Sequence, residues 1–482
     1  MEFVADLHLH SKYSRAVSKN MTLDVMEKYA RQKGIDLLSA ADWTHPLWFQ
    51  ALQDKLEEAG DGLYKLKVIK SSGYKVGERE VLFLLSTEIA SIYKQGDKLR
   101  RIHNLVFVPS LEVASTVSKE LLRRGCNLSA DGRPIVGLTS KNLLELILEI
   151  DEKCMLIPCH VWTPHFGMYG SASGFDSIEE SFGELGKYIY GIETGLSSDP
   201  DMNWQVKELQ DRSILSFSDA HSPAKMGREL TVFELEEATY ENVRKAIMRP
   251  SVSVIARSRS DEAISLNNEI AASSSKNGTP RNDNRIAYTV EFYPEEGKYH
   301  YSGHRNCKVV VGPEELRKNG DVCTVCRRKL TEGVCLRVQQ LASRELAGRA
   351  RVKSPQPPLG KKGGVRWYED SLGEQPPYVK LVPLLEVVAE SLGYASVGSK
   401  KVQGVYEELC KRVGSEMDIL LRVPVEDIGK VGGERVAEGV ARVRSGDIVI
   451  NPGYDGEYGK VKIWPDDDKR VELDKDQLGL DI

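Results

Sequence analysis

Histidines and carboxylates stand at the ends of six short apolar runs in this 482-residue chain, and imidazole plus carboxylate oxygen is the donor set that suits zinc, manganese or iron. Glu2-Phe-Val-Ala closes on Asp6-Leu-His8-Leu-His10, and Ile35-Asp-Leu-Leu-Ser closes on Asp42 and His45. Val81-Leu-Phe-Leu-Leu leads to Glu88, Met155-Leu-Ile-Pro to His160, Tyr188-Ile-Tyr-Gly-Ile to Glu193, and Ile214-Leu-Ser-Phe to Asp219 and His221. His103 precedes a further run, Leu105-Val-Phe-Val. Any one such residue is more often a satisfied polar group at the rim of a fold than a ligand. Five of the nine histidines falling at run ends points beyond that explanation. If the runs are parallel strands of one barrel, their carboxyl ends share a rim. A polynuclear metal centre follows, with a carboxylate such as Glu88 bridging two ions.

The elements that must position these residues alternate. Thr22 precedes Leu23, Met26, Tyr29 and Ala30 at helical spacing, and Gly34 stops that helix. Residues 139–152 and 240–248 carry the same period. Strand and helix alternating over the first 250 or so residues imply an α/β barrel, with 1–256 as its span. From 257 to 285 the composition turns to Ser, Asn, Lys and Ala without apolar period, which reads as a linker or mobile insert. A second linker, rich in Pro, Gly and Lys, is expected at 342–377. Helical periodicity returns over 378–445, and 446–482 reads as a hairpin around Gly453-Tyr-Asp-Gly456 followed by a tail. Ile428-Gly-Lys-Val-Gly-Gly-Glu-Arg reads as a helix-turn-helix packing corner, with only slight likeness to a helix-hairpin-helix phosphate binder.

Between the linkers lies a short module, 286–341, with its own ligand set. His304-Arg-Asn-Cys307 and Cys323-Thr-Val-Cys326 form two knuckles that match one structural zinc site, and His300 or Cys335 could take the place of His304. Such an ion would staple a segment too small and polar to hold itself together. The module is also basic: from Lys298 to Lys362 there are 15 Lys and Arg against 5 Asp and Glu, in a chain of net charge −5. A phosphate-backbone grip beside an acidic, metal-ready centre fits that asymmetry, and a merely solvated basic surface competes with it. No apolar stretch approaches the roughly 18 to 20 residues of a membrane span, and the first strand begins without a signal segment, so a cytoplasmic protein is expected.

Asp6-Leu-His8-Leu-His10, followed in order by Glu88, His103, His160, Glu193 and Ser218-Asp219-Ala-His221, resembles the polymerase and histidinol phosphatase (PHP) superfamily of metal-dependent phosphoesterases. More narrowly, His8-Leu-His-Ser-Lys-Tyr-Ser-Arg-Ala-Val-Ser-Lys-Asn, Asp42-Trp-Thr-His-Pro, Pro158-Cys-His-Val-Trp-Thr-Pro-His-Phe-Gly and Glu295-Glu-Gly-Lys-Tyr-His-Tyr-Ser-Gly-His-Arg resemble endonuclease Q. The resemblance implies a PHP-type distorted (β/α)7 barrel, then the small zinc-binding module, then a mainly helical DNA-contacting module. It implies a DNA-repair endonuclease that recognises uracil, hypoxanthine, xanthine and abasic sites and hydrolyses the phosphodiester on their 5′ side. His8, His10, Glu88 and Asp219 would hold one ion, and Glu88, His103 and His160 a second. Glu88, Asp219 and Glu193 would be the catalytic carboxylates. Two positions that often serve a third ion in the superfamily are Ala16 and Trp43 here, so that ion depends on Asp42 or His45 joining His221. The expected cofactors are two to three divalent ions, zinc, manganese or magnesium, and one structural zinc.

Phosphodiester hydrolysis needs a nucleophile at neutral pH and a clamp on the phosphate, and two ions about 4 Å apart supply both. A base-sensing enzyme must also expose its target, and extruded bases are held between aromatic or apolar side chains. Trp162, His165 and Tyr169, in the Gly-rich loop after His160, are the expected substrate contacts, with core packing the competing role for each tryptophan near a ligand. The terminal Gln477-Leu478-Gly-Leu480-Asp-Ile482 resembles the peptide by which bacterial repair proteins dock on the sliding clamp. Damaged DNA and that clamp are thus the expected partners, with no membrane. Two rivals remain. A small-molecule phosphomonoesterase of the same superfamily gives no role to the cysteine module or the basic segment, and hydrolysis of a chromogenic monoester without DNA cutting would favour it. A noncatalytic helicase-associated DNA-binding scaffold leaves the ligand set without a purpose, and a metal-free protein that still binds DNA would support it.

Overall fold

A computed structural model describes residues 1–67, 80–248, 284–353 and 364–465. The strand Glu2–Asp6 lies mid-sheet because it is apolar on both faces. It pairs in parallel with Leu37–Ser39, which pairs in parallel with Leu82–Leu84, and on its other side it runs antiparallel to Leu230–Glu234. The sheet has ten strands, and the four at one side come from beyond the first linker: Arg285–Glu291, Tyr378–Lys380, Trp367–Asp370 and Ala350–Lys353. Two of those strands lie in the stretch expected to be a linker. Tyr368 and Trp367 fall opposite Val352 and Lys353 in an antiparallel pair, and such aromatic and β-branched cross-strand partners make a strand without a long apolar run.

A second sheet of four strands carries the next ligands. Ser86–Gln95 and Lys98–Phe107 form an antiparallel hairpin closed at Gly96, where φ is +59°, and they are flanked by Ile135–Val136 and Met155–Pro158. Ala90 opposes His103 and Glu88 opposes Leu105, so the period of two puts Glu88 and His103 on one face. Gly191–Glu193 and Ser213–Leu215 pair in parallel as a third, small sheet. Five of the six apolar runs thus pair in parallel with another run, as expected, while Met155–Pro158 and the strands flanking the runs pair antiparallel, so the sheets are mixed.

Helices follow their signals more closely. Leu23–Lys33 begins after Thr22, whose side chain makes no cap bond, and ends at Gly34 with φ +81°. Ser140–Ile150 is capped by Thr139 Oγ1, which accepts from the Asn142 N–H at 3.0 Å. Leu384–Ser391, Lys400–Arg412, Glu416–Leu421, Val425–Gly432 and Glu434–Ser445 make the C-terminal bundle, with Gly433 turning between the last two. The bundle packs on the first helix through a fully buried pair, Lys33 Nζ to Glu416 Oε2 at 2.8 Å. Val449–Asn451 and Lys460–Lys462 form the expected hairpin. Gln477, Leu478, Leu480 and Ile482 lie outside the described residues. Among the described residues no helix is long and apolar enough to cross a membrane.

Candidate active site

Strand ends from all three sheets meet in one buried cluster. His10 Nε2 lies 3.0 Å from Asp219 Oδ1 and 3.3 Å from Glu88 Oε2. His8 Nε2 lies 3.8 Å from each of the same two oxygens and has no hydrogen-bond partner. On the other side of Glu88, Oε1 contacts His103 Nδ1 and lies 3.2 Å from His160 Nε2, with the two imidazole nitrogens 3.3 Å apart. Glu88 thus turns one oxygen to each pair of histidines. Burial alone would raise its pKa, but His103, Arg133 and His10 hold it well below the ordinary carboxyl value. Asp219 is held low in the same way by His10, His221 and His8. His8, His10, Glu88 and Asp219 bring one donor atom each into mutual reach, and the unpartnered His8 nitrogen aimed among carboxylates fits a cation.

A further layer orients these donors. Glu193 uses both oxygens, Oε1 for His8 Nδ1 and Oε2 for the backbone N–H of His160, each at 2.8 Å. Asp42 Oδ1 lies 3.3 Å from His10 Nδ1, while Oδ2 accepts from the Ser11 N–H at 2.6 Å and from Ser14 Oγ at 2.8 Å. Asp6 accepts from the Ser218 N–H and hydroxyl and from the Gly227 N–H, which ties the first strand to the Asp219 loop. Burial raises its pKa to about 6 against those bonds. Carboxylates that fix imidazole tautomers in this way set which nitrogen faces an ion. Asp42, His160 and Asp219 have φ of +32°, +28° and +46°, and a Cβ at Gly195 would fall 2.3 Å from His160 Cβ. Only glycine lets that chain pass beneath His160.

Other expected positions fall elsewhere. His221 Nε2 lies 3.5 Å from Asp219 Oδ1, at the edge of the cluster. His45 stacks on Tyr13 at 4.5 Å between ring centroids, and among the described residues Asp42 and His45 do not gather with His221 into a third donor group. Trp162 is 1 % exposed and donates to Asn203 Oδ1 at 2.8 Å, and Tyr169, fully buried, stacks on it and donates to Glu208. Both are packing residues of this loop; His165 is exposed. Trp43, Trp48 and Trp204 are buried as well. Two further residues stand near the donors. Cys159 stands with His8 and Glu193, and with Glu88 and His160, although burial pushes its thiol pKa well up. Arg133 places Nη1 3.1 Å from Glu88 Oε2, and nothing in Ser129-Ala-Asp-Gly-Arg-Pro marks it beyond a turn.

The cysteine module gathers His304, Cys307, Cys323 and Cys326 into a second donor group, with His304 Nδ1 3.3 Å from Cys326 Sγ. Backbone N–H groups of Cys326 and Val325 lower the Cys323 pKa to about 6. His300 and Cys335, the alternatives, pair with each other instead at 3.2 Å. Around the group only Val311, Leu316, Cys323 and Leu330 form a core. Arg305, Lys308, Arg317, Lys318, Arg327, Arg328 and Lys329 are exposed on it.

Fold and site define a mixed α/β protein with a buried histidine and carboxylate centre able to hold metal ions. Its structure is similar to that of the lesion-specific endonuclease PfuEndoQ from Pyrococcus furiosus, at 27 % identity and TM-score 0.71 over 96 % of this chain and 95 % of that one. It is equally similar to endonuclease Q in complex with a 27-mer duplex bearing an abasic lesion at the active site, at 28 % identity and TM-score 0.72 over 98 % and 100 %. These likenesses, over nearly the whole length of both chains, support the endonuclease Q family. The chain is 27 % identical to protein YqxK of Bacillus subtilis over 95 % of this chain and 98 % of that protein. Protein MJ0043 of Methanocaldococcus jannaschii is 28 % identical over 66 % of this chain, and the match spans about a third of that longer protein, 33 %. Residues 383–447 match the family described as the MJ0043 C-terminal domain.

Proposed function

We propose that this chain is a metal-dependent DNA-repair endonuclease that recognises deaminated bases and abasic sites and hydrolyses the phosphodiester on the 5′ side of the lesion. The observation that carries the reading is the sharing of Glu88 between His8 and His10 on one oxygen and His103 and His160 on the other, with Asp219 closing the first group. That arrangement suits two divalent ions, zinc, manganese or magnesium, which when bound supply an activated water and neutralise charge on the phosphate. The chain's own residues hold the donors in register: Glu193 sets His8 and the His160 backbone, Asp42 sets His10, and Asp6 anchors the Asp219 loop. The cysteine module would take one structural zinc and present its exposed Arg and Lys side chains to the DNA backbone. The tail 477–482 would add a sliding-clamp contact.

Labelled duplexes and single strands carrying uracil, hypoxanthine, an abasic site or no lesion, incubated with and without chelator, test the reading. Cutting confined to damaged strands, 5′ to the lesion, abolished by chelator and by Asp219→Asn, is expected. Equal cutting of undamaged strands, or hydrolysis of phosphomonoesters alone, would overturn it.

A further inference from the structure

The loop 129–134 sends one cation into the centre, and its root is fixed on every side. Asp131 Oδ1 accepts the backbone N–H groups of Arg15 and Arg133 at 3.1 and 3.2 Å. Gly132 donates its N–H to Tyr13 O at 3.1 Å, and a Cβ there would meet Asp42 Oδ2 and Ser14 Oγ at 2.3 Å. Pro134 O accepts the Ala90 N–H at 2.9 Å, immediately before Ile135–Val136 pairs with the strand that carries Glu88. Proline at 134 also narrows the backbone choices of Arg133. A loop tied to Arg15, Tyr13 and Ala90 delivers a defined guanidinium where a long side chain on a free loop would scatter.

That guanidinium lies on the open side of the cluster. The Arg133 side chain is 24 % exposed, whereas Glu88, His8 and His10 are fully buried. Its contact, Glu88 Oε2, is also the oxygen facing His8 and His10. Once Glu88 is committed to cations, its charge is shared with them and the ions repel the guanidinium, which weakens that contact. Asp219 and Asp131 also attract the guanidinium; a phosphate arriving beside it would add an anion whose paired nonbridging oxygens match a planar five-donor fork.

We propose that Arg133 is a catalytic phosphate ligand, its guanidinium turning from Glu88 to the nonbridging oxygens of the scissile phosphodiester when ions occupy the centre. This rests on the function proposed above and adds to it a contact from outside the histidine and carboxylate set. The competing role is electrostatic filling, in which Arg133 merely neutralises Glu88.

Arg133→Ala and Arg133→Lys separate the two. With manganese and an abasic duplex, single-turnover cutting by Arg133→Ala should fall about 100- to 1,000-fold, the scale of losing one preorganised charge-stabilising donor, with Arg133→Lys in between. Ion content after dialysis, read by plasma mass spectrometry, should match wild type, and added guanidinium ion should restore part of the lost rate. A wild-type rate, a fall in ion content, or no response to guanidinium would overturn the assignment. If wild type cuts no lesion duplex, the functional reading has failed, and inorganic phosphate then tests the assignment separately. Phosphorus NMR line broadening on manganese-loaded protein should show binding weaker by about tenfold or more in Arg133→Ala; equal binding would overturn it.

Discussion

Glu193→Gln keeps the shape of the side chain and replaces one carboxylate oxygen by an NH2 group, which makes it a sharp test of how the donors are held. Both Glu193 oxygens accept: Oε1 from His8 Nδ1 and Oε2 from the His160 N–H, each at 2.8 Å with all three residues buried. A carboxylate only accepts, so His8 carries a proton on Nδ1, and Nε2, facing Glu88 and Asp219, is the nitrogen left for an ion. An amide has a single oxygen. The His160 backbone always donates, so the oxygen must face it and the NH2 must face His8. His8 then accepts on Nδ1 and carries its proton on Nε2, the atom that would bind an ion. Reversing the amide only moves the conflict to the His160 N–H. Loss of an orienting partner of this kind costs about 10- to 100-fold in metal affinity, or about 1.4 to 2.7 kcal/mol. Competition against a chelator of known affinity, with ion content by plasma mass spectrometry, measures it, and thermal unfolding should move little. Affinity within about twofold of wild type together with lost cutting would refute the argument and make Glu193 a residue that acts on substrate.

Three further outcomes follow from the same geometry. Trp162→Ala should cost about 3 to 5 kcal/mol of stability by opening a cavity against Tyr169 and orphaning Asn203, so lesion discrimination and ion content should fall together in a melting and ion-content series; selective loss of discrimination would put Trp162 on the substrate. Cys323→Ser should release one equivalent of zinc and open residues 300–341 to protease while the unfolding of the sheet domain holds, because the module has almost no core of its own. Burial raises the Glu291 pKa to about 8 from 4.5, against the hydroxyls of Ser216 and Thr289. The folded protein therefore keeps a proton that the unfolded chain has lost, and stability should fall as pH rises from about 4.5 through about 8, by at most about 1.4 kcal/mol per pH unit for one proton. Urea unfolding at three pH values should show a shallower slope for Glu291→Gln, not a flat one, since burial raises Glu229 in the same sense.

The donors were legible in the sequence because each lies at one end of an apolar run, His103 before its run and the others after theirs, and burying the run carries the polar residue beside it to a common place. His8, His10, Glu88, His103, His160 and Asp219 converge for that reason. What the donors do to one another was not legible. Glu193 and Asp42 have the same sequence signature as Glu88, an acid after an apolar run. Their placement behind His8 and His10 depends on hydrogen bonds reaching 185 and 32 residues along the chain. Trp162 and Tyr169 sit in a Gly-rich loop that reads as a rim, but the close turns at Gly167, Gly170 and Gly174 fold it onto itself and bury both rings. The antiparallel direction of the runs' partners Leu230–Glu234 and Lys98–Phe107 was invisible too, since antiparallel and parallel strands buried on both faces share one pattern.

Backbone strain carries the argument one step past the side chains. Asp42, His160 and Asp219 lie in the left-handed region, where a residue with a Cβ costs about 1 to 3 kcal/mol unless its surroundings fix it. Each is fixed by groups already in the centre: Asp42 by Ser11 and Ser14, His160 by Glu193 and Gly195, and Asp219 by the Ser218 bonds to Asp6 on one side and Arg228 on the other. Glycine would relieve the strain at all three but could supply neither donor nor tether. The strain therefore marks positions where the chain must turn sharply and still present a ligand or its anchor, and Asp6 and Glu193 stabilise the turns as much as they orient the donors. Removing either should loosen the loop and the donor geometry together, because one set of hydrogen bonds serves both.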